Sequence, residues 1–195
     1  MITYWFPTGI YHNFYPYHEN LKIEILSKLP NNSTRKVSDV DGWPFWTQNT
    51  QQGLINPLDS NTEIINSFAS WVESEVTNFA KSYGSLDSYK IDQCWVNQYQ
   101  KGDFQETHIH LGFDFSAIYF VAAPEKSGKV IFENPNLIAD MRPIRGKETE
   151  LSTSSAVYKP VEGQLLIFRS NLRHGVYPHR DDLPRISIAF NLLQE

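Results

Sequence analysis

The feature that most constrains this chain is a change of period near residue 88. Before it, Ser60-Asn61-Thr62-Glu63 has the form of a capping box, and Ile65, Phe68, Val72, Val76, Phe79 and Tyr83 follow at steps of three and four up to Gly84. That spacing predicts one long helix with a single apolar stripe, ended by glycine. After it the pattern breaks into eight short β-type segments: YKIDQCWVNQY, FQETHIH, FSAIYFVAA, KVIFEN, SAVYKP, QLLIFRS, HGVYPH and RISIAFNLL, with Lys-Gly, Ser-Gly, Asn-Pro and Glu-Gly turn signals between them. Helices kept to the N-terminal third and strands thereafter predict a mainly β, α+β fold, an antiparallel double sheet of the jelly-roll kind backed by helices.

Upstream, Tyr4, Trp5, Phe6 and Pro7 punctuate the start, and Leu21, Ile25 and Leu29 share one face of a shorter helix that Pro30 stops. Residues 31–60 are polar and Gly/Pro-containing yet carry Trp43, Phe45, Trp46, Leu54 and Ile55, which predicts an ordered loop with room for a short strand. A length of 195 residues suits one domain, 1–195, with 1–88 as helical and loop support and 89–195 as the β core.

Composition narrows the function. An apolar fraction of 41 % with 14 % aromatics marks a folded chain. The net charge of −5, with no run of basic residues beyond two, disfavours a nucleic-acid backbone or an anionic membrane as partner. The single cysteine, Cys94, makes an intrachain disulfide impossible. No stretch reads as a signal peptide or a membrane span, so a cytoplasmic location is expected.

Chemistry enters at "THIHLGFDFSAIYF", residues 107–120. On a strand, His108 and His110 point the same way about 6.6 Å apart, close enough to converge on one ion. A lone His-x-His is commonly an unremarkable polar pair. The far end of the chain alters that balance, because His174 follows another apolar strand and Arg185 opens the last one. There Arg185, Ser187, Ala189 and Asn191 alternate with Ile186, Ile188, Phe190 and Leu192. With the apolar set buried against the long helix, Arg185 must point between the sheets, where a guanidinium requires an anion. Its fork fits a carboxylate, and Ser187 can donate a further hydrogen bond. A salt bridge to a protein acid is the competing explanation.

Taken together, these residues resemble the iron(II)- and 2-oxoglutarate-dependent dioxygenases of the double-stranded β-helix, or cupin-like jelly-roll, fold. The resemblance is strongest to a branch found in bacteria and their phages, through an "FPT" start, His-x-His, Ser116-x-x-Tyr119, "FENP" and "RISIAFN". It implies that His108, His110 and His174 bind Fe(II), that Arg185 and Ser187 clamp 2-oxoglutarate, and that Tyr99 in "NQYQKGD" lines the co-substrate pocket. It further implies O2-dependent decarboxylation of 2-oxoglutarate coupled to hydroxylation or another oxidation of a substrate, in the cytoplasm of a bacterium or a phage-infected cell.

One departure stands out: His110 occupies the position where the wider family places a carboxylate. Asp114 can reach the metal only if Gly112 turns the chain back, so His110 is the favoured third ligand and Asp114 the alternative. Glu106 is expected to orient an imidazole from outside. Trp95, Phe113 and Tyr119 are candidates for a dry wall at the mouth, with Trp95 leaning to the core, and Asn97 and Asn191 are candidate polar contacts. His12, His18 and His179 are expected at the surface or in local bonds. A three-histidine zinc hydrolase or hydratase and a non-catalytic jelly-roll binding module are the alternatives. Loops 31–60 and 136–154 are expected to line a pocket for a substrate that composition does not identify, and dimerisation through the aromatic N-terminus stays open.

Overall fold

The computed structural model describes Thr3 and residues 7–29, 51–52, 56–136, 149–150 and 152–195, with 51–52 described by their backbone. Tyr4, Trp5, Phe6, Pro30, most of the loop 31–60 with its aromatics, and most of 136–154 lie outside the described residues.

Helix α1 spans His18–Lys28 and α2 spans Glu63–Lys81. The cap of α2 differs from the expected box. Ser60 instead closes a 3-10 turn, Pro57–Ser60, and Asn61 takes a left-handed φ of 48°, which shifts the helix start. Thr62 is then the N-cap, its Oγ1 accepting from the Ile65 N–H at 3.4 Å. At the other end Gly84 has φ +83°, the Gly84 N–H donates to the Lys81 carbonyl and the Ser85 N–H to that of Ala80, a Schellman ending that satisfies carbonyls the helix leaves open.

All eight expected strands form: β3 Tyr89–Tyr99, β4 Gln105–His108, β5 Phe115–Ala122, β6 Val130–Glu133, β7 Ser155–Tyr158, β8 Gln164–Arg169, β9 His174–Val176 and β10 Arg185–Gln194. Two more join them, β1 Ile10–Phe14 and the two-residue β2 Gln51–Gln52, the latter inside the expected loop region. The six-stranded sheet runs β1-β8-β5-β10-β3-β2 and the four-stranded sheet β4-β9-β6-β7, with antiparallel pairings throughout. This is the double-stranded β-helix.

The two faces of the larger sheet meet different partners. On one, Ile65, Phe68, Val72 and Val76 of α2, with Leu21 and Ile25 of α1, pack on Val96, Ala117, Tyr119, Ile188, Phe190 and Leu192, and the rings of Phe68 and Phe190 lie 5.9 Å apart. Each buried Val, Leu, Ile or Phe side chain among them stabilises the fold by about 1.5–3 kcal/mol. On the other face Tyr99, Phe120, Leu166 and Phe168 meet Val130, Phe132 and Val176 of the smaller sheet. Strand β10 is central, between β3 and β5, and is buried from Arg185 through Leu192. Alternation therefore sends its polar set toward the smaller sheet.

Candidate active site

The smaller sheet supplies the histidines. His108, the last residue of β4, pairs directly with His174, the first of β9. His110 lies just beyond β4, where its backbone N–H donates to the Ser170 carbonyl at 2.9 Å. Ring centroids are 4.4 Å apart for His108 and His174, 5.0 Å for His108 and His110, and 5.2 Å for His110 and His174. One nitrogen of each ring lies within 4.8 Å of those of the other two, and among the described residues no carboxylate belongs to the cluster.

Two of the rings are oriented by backbone. His108 Nδ1 lies 2.8 Å from the Glu106 carbonyl and His174 Nδ1 2.9 Å from the Leu172 carbonyl. A carbonyl only accepts, so Nδ1 carries a proton in both, which leaves Nε2 as the atom available to a cation. The Glu106 side chain, expected to do this orienting, is exposed instead, because its main chain already performs that role. Burial, and then the nearby His108 ring, lower the His110 pKa to about 4. Burial chiefly, with the other two imidazoles, lowers that of His174 to about 3 against the opposing Leu172 carbonyl. Near neutral pH both are uncharged, the form that binds a cation.

Arg185 faces the same cleft and is 1 % exposed. Its guanidinium lies 4.5 Å over the Tyr99 ring, its ladder partner, and 5.2 Å over Phe120. Among the described residues Nε and Nη1 have no hydrogen-bond partner and no carboxylate is within ion-pair distance. Burial lowers its pKa, with Tyr99 pulling the other way. A desolvated cation–π contact is worth about 2 kcal/mol, whereas leaving a charge buried without its partner costs about 3–5 kcal/mol. The two rings and Tyr99 thus offset much of that cost but supply no counter-charge, and the guanidinium keeps open donors for an anion. Ser187, also 1 % exposed, lies two residues on along the same face. Opposite it in the ladder, Asn97 has an unpartnered Oδ1. The cleft is open to solvent, and among the described residues no acidic side chain lines it.

Several expectations change. Gly112 does turn the chain, with φ +87°, but the turn delivers the Asp114 carboxylate to the Gln194 N–H at 3.0 Å, away from the imidazoles. Trp95 lines the mouth, 6.1 Å from the His110 ring, rather than joining the core. Tyr119 points to the opposite face, packed on Phe68 at 4.6 Å and bonded to His18 Nδ1 at 2.8 Å, and Phe113 does not line the cleft. Asn191 is a structural residue: its Oδ1 accepts from Ser116 Oγ and its Nδ2 donates to Gln93 Oε1. His12 is exposed, whereas His179, 1 % exposed, ties Gly128 to the Leu183 carbonyl. Phe168 and Phe132, whose rings lie 4.5 and 6.0 Å from His174, form an apolar wall; Phe132 opens the "FENP" segment, but the sequence motifs place neither residue at the site.

Three imidazoles that could hold a metal ion share one cleft of a double-stranded β-helix with a buried guanidinium that has no acid partner among the described residues. A family model described as "Putative 2OG-Fe(II) oxygenase" matches residues 93–191, just over half of the chain, and the chain belongs to that family of 2-oxoglutarate- and Fe(II)-dependent oxygenases. Solved structures share its fold. An oxidoreductase of the 2OG-Fe(II) oxygenase family from Burkholderia pseudomallei matches with TM-score 0.51 and 16% identity over 68% of this chain, which spans 59% of that one. A Pseudomonas putida prolyl-4-hydroxylase matches with TM-score 0.59 and 14% identity over 96% of this chain and 94% of that one. HygX from Streptomyces hygroscopicus, with nickel, 2-oxoglutarate and hygromycin B bound, matches with TM-score 0.59 and 12% identity over 95% of this chain and 82% of that one. No curated protein matches the sequence. Among the described residues no helix is long and apolar enough to cross a membrane.

Proposed function

We propose that His108, His110 and His174 hold the Fe(II), and that Arg185 with Ser187 and Tyr99 receives the distal carboxylate of 2-oxoglutarate. The observation that carries this is the buried, unpaired Arg185 guanidinium on the wall of the cleft that holds the three imidazoles. Iron bound there supplies the oxygen activation that converts 2-oxoglutarate and O2 to succinate and CO2 while one oxygen atom enters a substrate C–H bond. The chain supplies position and exclusion of water. The Glu106 and Leu172 carbonyls keep the protons of His108 and His174 on Nδ1, so both rings offer Nε2. Arg185 and Ser187 fix the far end of the co-substrate by charge and hydrogen bonds. Phe132 and Phe168 keep solvent from the His174 side.

Zinc-water hydrolysis uses three imidazoles equally well but has no use for the guanidinium, so Arg185 favours the oxygenase. The protein acts as one domain over 1–195, in the cytoplasm, without nucleic acid as a main partner. Anaerobic titration with Fe(II) and 2-oxoglutarate tests the assignment. A visible metal-to-ligand charge-transfer band of the chelate is expected, followed by succinate on admitting air. An intact protein that shows no band overturns it.

A further inference from the structure

Charge bookkeeping in the cleft points to the kind of molecule the enzyme oxidises, an inference that rests on the placement of the metal and of 2-oxoglutarate proposed above. Two positive charges on the cation and one on Arg185 meet two negative charges on 2-oxoglutarate, so one positive charge is left over. Among the described residues nothing in the cleft cancels it, since all three metal-facing side chains are imidazoles rather than carboxylates and no acidic residue lines the pocket. The described acids near the cleft are otherwise placed, and Asp103, buried in the turn beyond Tyr99, accepts from the Gln100 N–H at 2.7 Å and does not line the cleft. Glu106 is exposed, Glu133 accepts from Arg173 Nε at 2.8 Å, and Asp114 accepts from the Gln194 N–H. A net charge left in a partly desolvated cleft is costly unless a counter-charge arrives.

The mouth of the cleft holds a matching donor. Trp95 is half-buried beside His110, their rings 6.1 Å apart, and its indole N–H makes no hydrogen bond among the described residues. An indole nitrogen donates and does not accept, so its partner must be an acceptor. Strand β3 sets Trp95 opposite Ala189, four residues along β10 from Arg185. The Trp95 ring therefore lies at the metal end of the cleft, beside His110 and four residues along the ladder from the Arg185 clamp.

We infer that the primary substrate carries an anionic group, a carboxylate or a phosphate, which docks at the mouth against Trp95 and His110. It cancels the residual charge and brings a neighbouring C–H bond to the metal end of the cleft. Bound co-substrate is what makes the mouth available to this anion, because Arg185 is then occupied and the mouth is the remaining site of positive potential.

The test uses the full chain loaded with Co(II) and saturated with 2-oxoglutarate at constant ionic strength, so that no turnover is needed. Acetate, methyl phosphate and the neutral acetamide are each titrated, with the Co(II) visible spectrum and calorimetry as readouts. At least one of the two anions should bind saturably and at least tenfold tighter than acetamide, and whichever binds tighter names the class. Trp95→Phe should weaken that anion about fivefold or more with 2-oxoglutarate affinity unchanged, and His110→Asp, which returns a negative charge, should weaken it tenfold or more. Anions that bind no tighter than acetamide would overturn the inference. So would anion binding that 2-oxoglutarate abolishes, since the anion would then sit on Arg185 or in the co-substrate's place on the metal. Failure of Co(II) or 2-oxoglutarate itself to bind would instead overturn the proposed site, and this inference with it.

Discussion

His108 and His174, remote in sequence, are direct partners across β4 and β9, their rings 4.4 Å apart, and each ring is fixed through Nδ1 by the carbonyl two residues before it. The meeting of these two imidazoles is thus a property of one strand pairing. His174→Ala should lower Co(II) or Fe(II) affinity by roughly 100-fold or more, beyond the 10- to 100-fold typical of disturbing an outer partner. Asp114→Ala should leave metal affinity unchanged and cost about 1 kcal/mol in urea denaturation, because the Gln194 N–H loses its acceptor. Metal titration of the two variants checks the contrast, and loss of metal in Asp114→Ala would reverse the choice of third ligand.

Gly175 controls that pairing. A methyl group there would meet the Gln105 carbonyl oxygen at 2.8 Å and the Glu106 carbonyl carbon at 3.2 Å, both backbone atoms of β4. Gly175→Ala should push β4 off β9 and separate His108 from His174. The expected result is a folded protein by circular dichroism with metal affinity lowered by about tenfold or more.

Arg185 separates function from stability. Losing a charged hydrogen-bond partner costs about 1.5–3 kcal/mol, so Arg185→Met should weaken 2-oxoglutarate binding by about 10- to 100-fold while metal affinity holds. Without ligand, the same change removes an unpaired buried charge and should stabilise the protein by about 1–4 kcal/mol. Urea denaturation with and without 2-oxoglutarate measures both effects. Equal losses of metal and co-substrate affinity would contradict the clamp.

His18 gives a pH dependence whose sign follows from burial. Its pKa is lowered, first by desolvation, with Glu19 and Glu162 opposing, and its Nδ1 is 2.8 Å from the Tyr119 hydroxyl. The folded protein therefore holds His18 neutral, while the unfolded chain takes up a proton near pH 6.5. The stabilisation is complete above that pH and is lost as pH falls from it toward the lowered folded value. The difference in Tm between the wild type and His18→Gln should accordingly shrink between pH 7 and pH 5. A constant or growing difference would show that pairing with Glu162, 3.8 Å away, outweighs burial.

Local signals were enough for much of this protein. Steps of three and four from Ile65 to Phe79, the Gly84 ending and the alternation of β10 each act within a few residues, so helix α2, the eight strands and the inward direction of Arg185 could be read before any contact was known. The His-x-His pair and the Arg-x-Ser strand were equally legible. Strand β1 was not, because as an edge strand with His12 exposed and Phe14 half-exposed it carries little apolar alternation. The remaining decisions needed the third dimension. Whether Asp114 or His110 joins the other imidazoles depends on where the turn at Gly112 sends the chain, and it sends Asp114 to the end of β10. Whether Trp95 is core or mouth, and whether Tyr119 faces the cleft or the helices, depends on which side of each strand the second sheet covers. Above all, that Arg185 is left without an acid is decided by every neighbour at once, because burial and pairing are properties of the packed layers rather than of any stretch of chain.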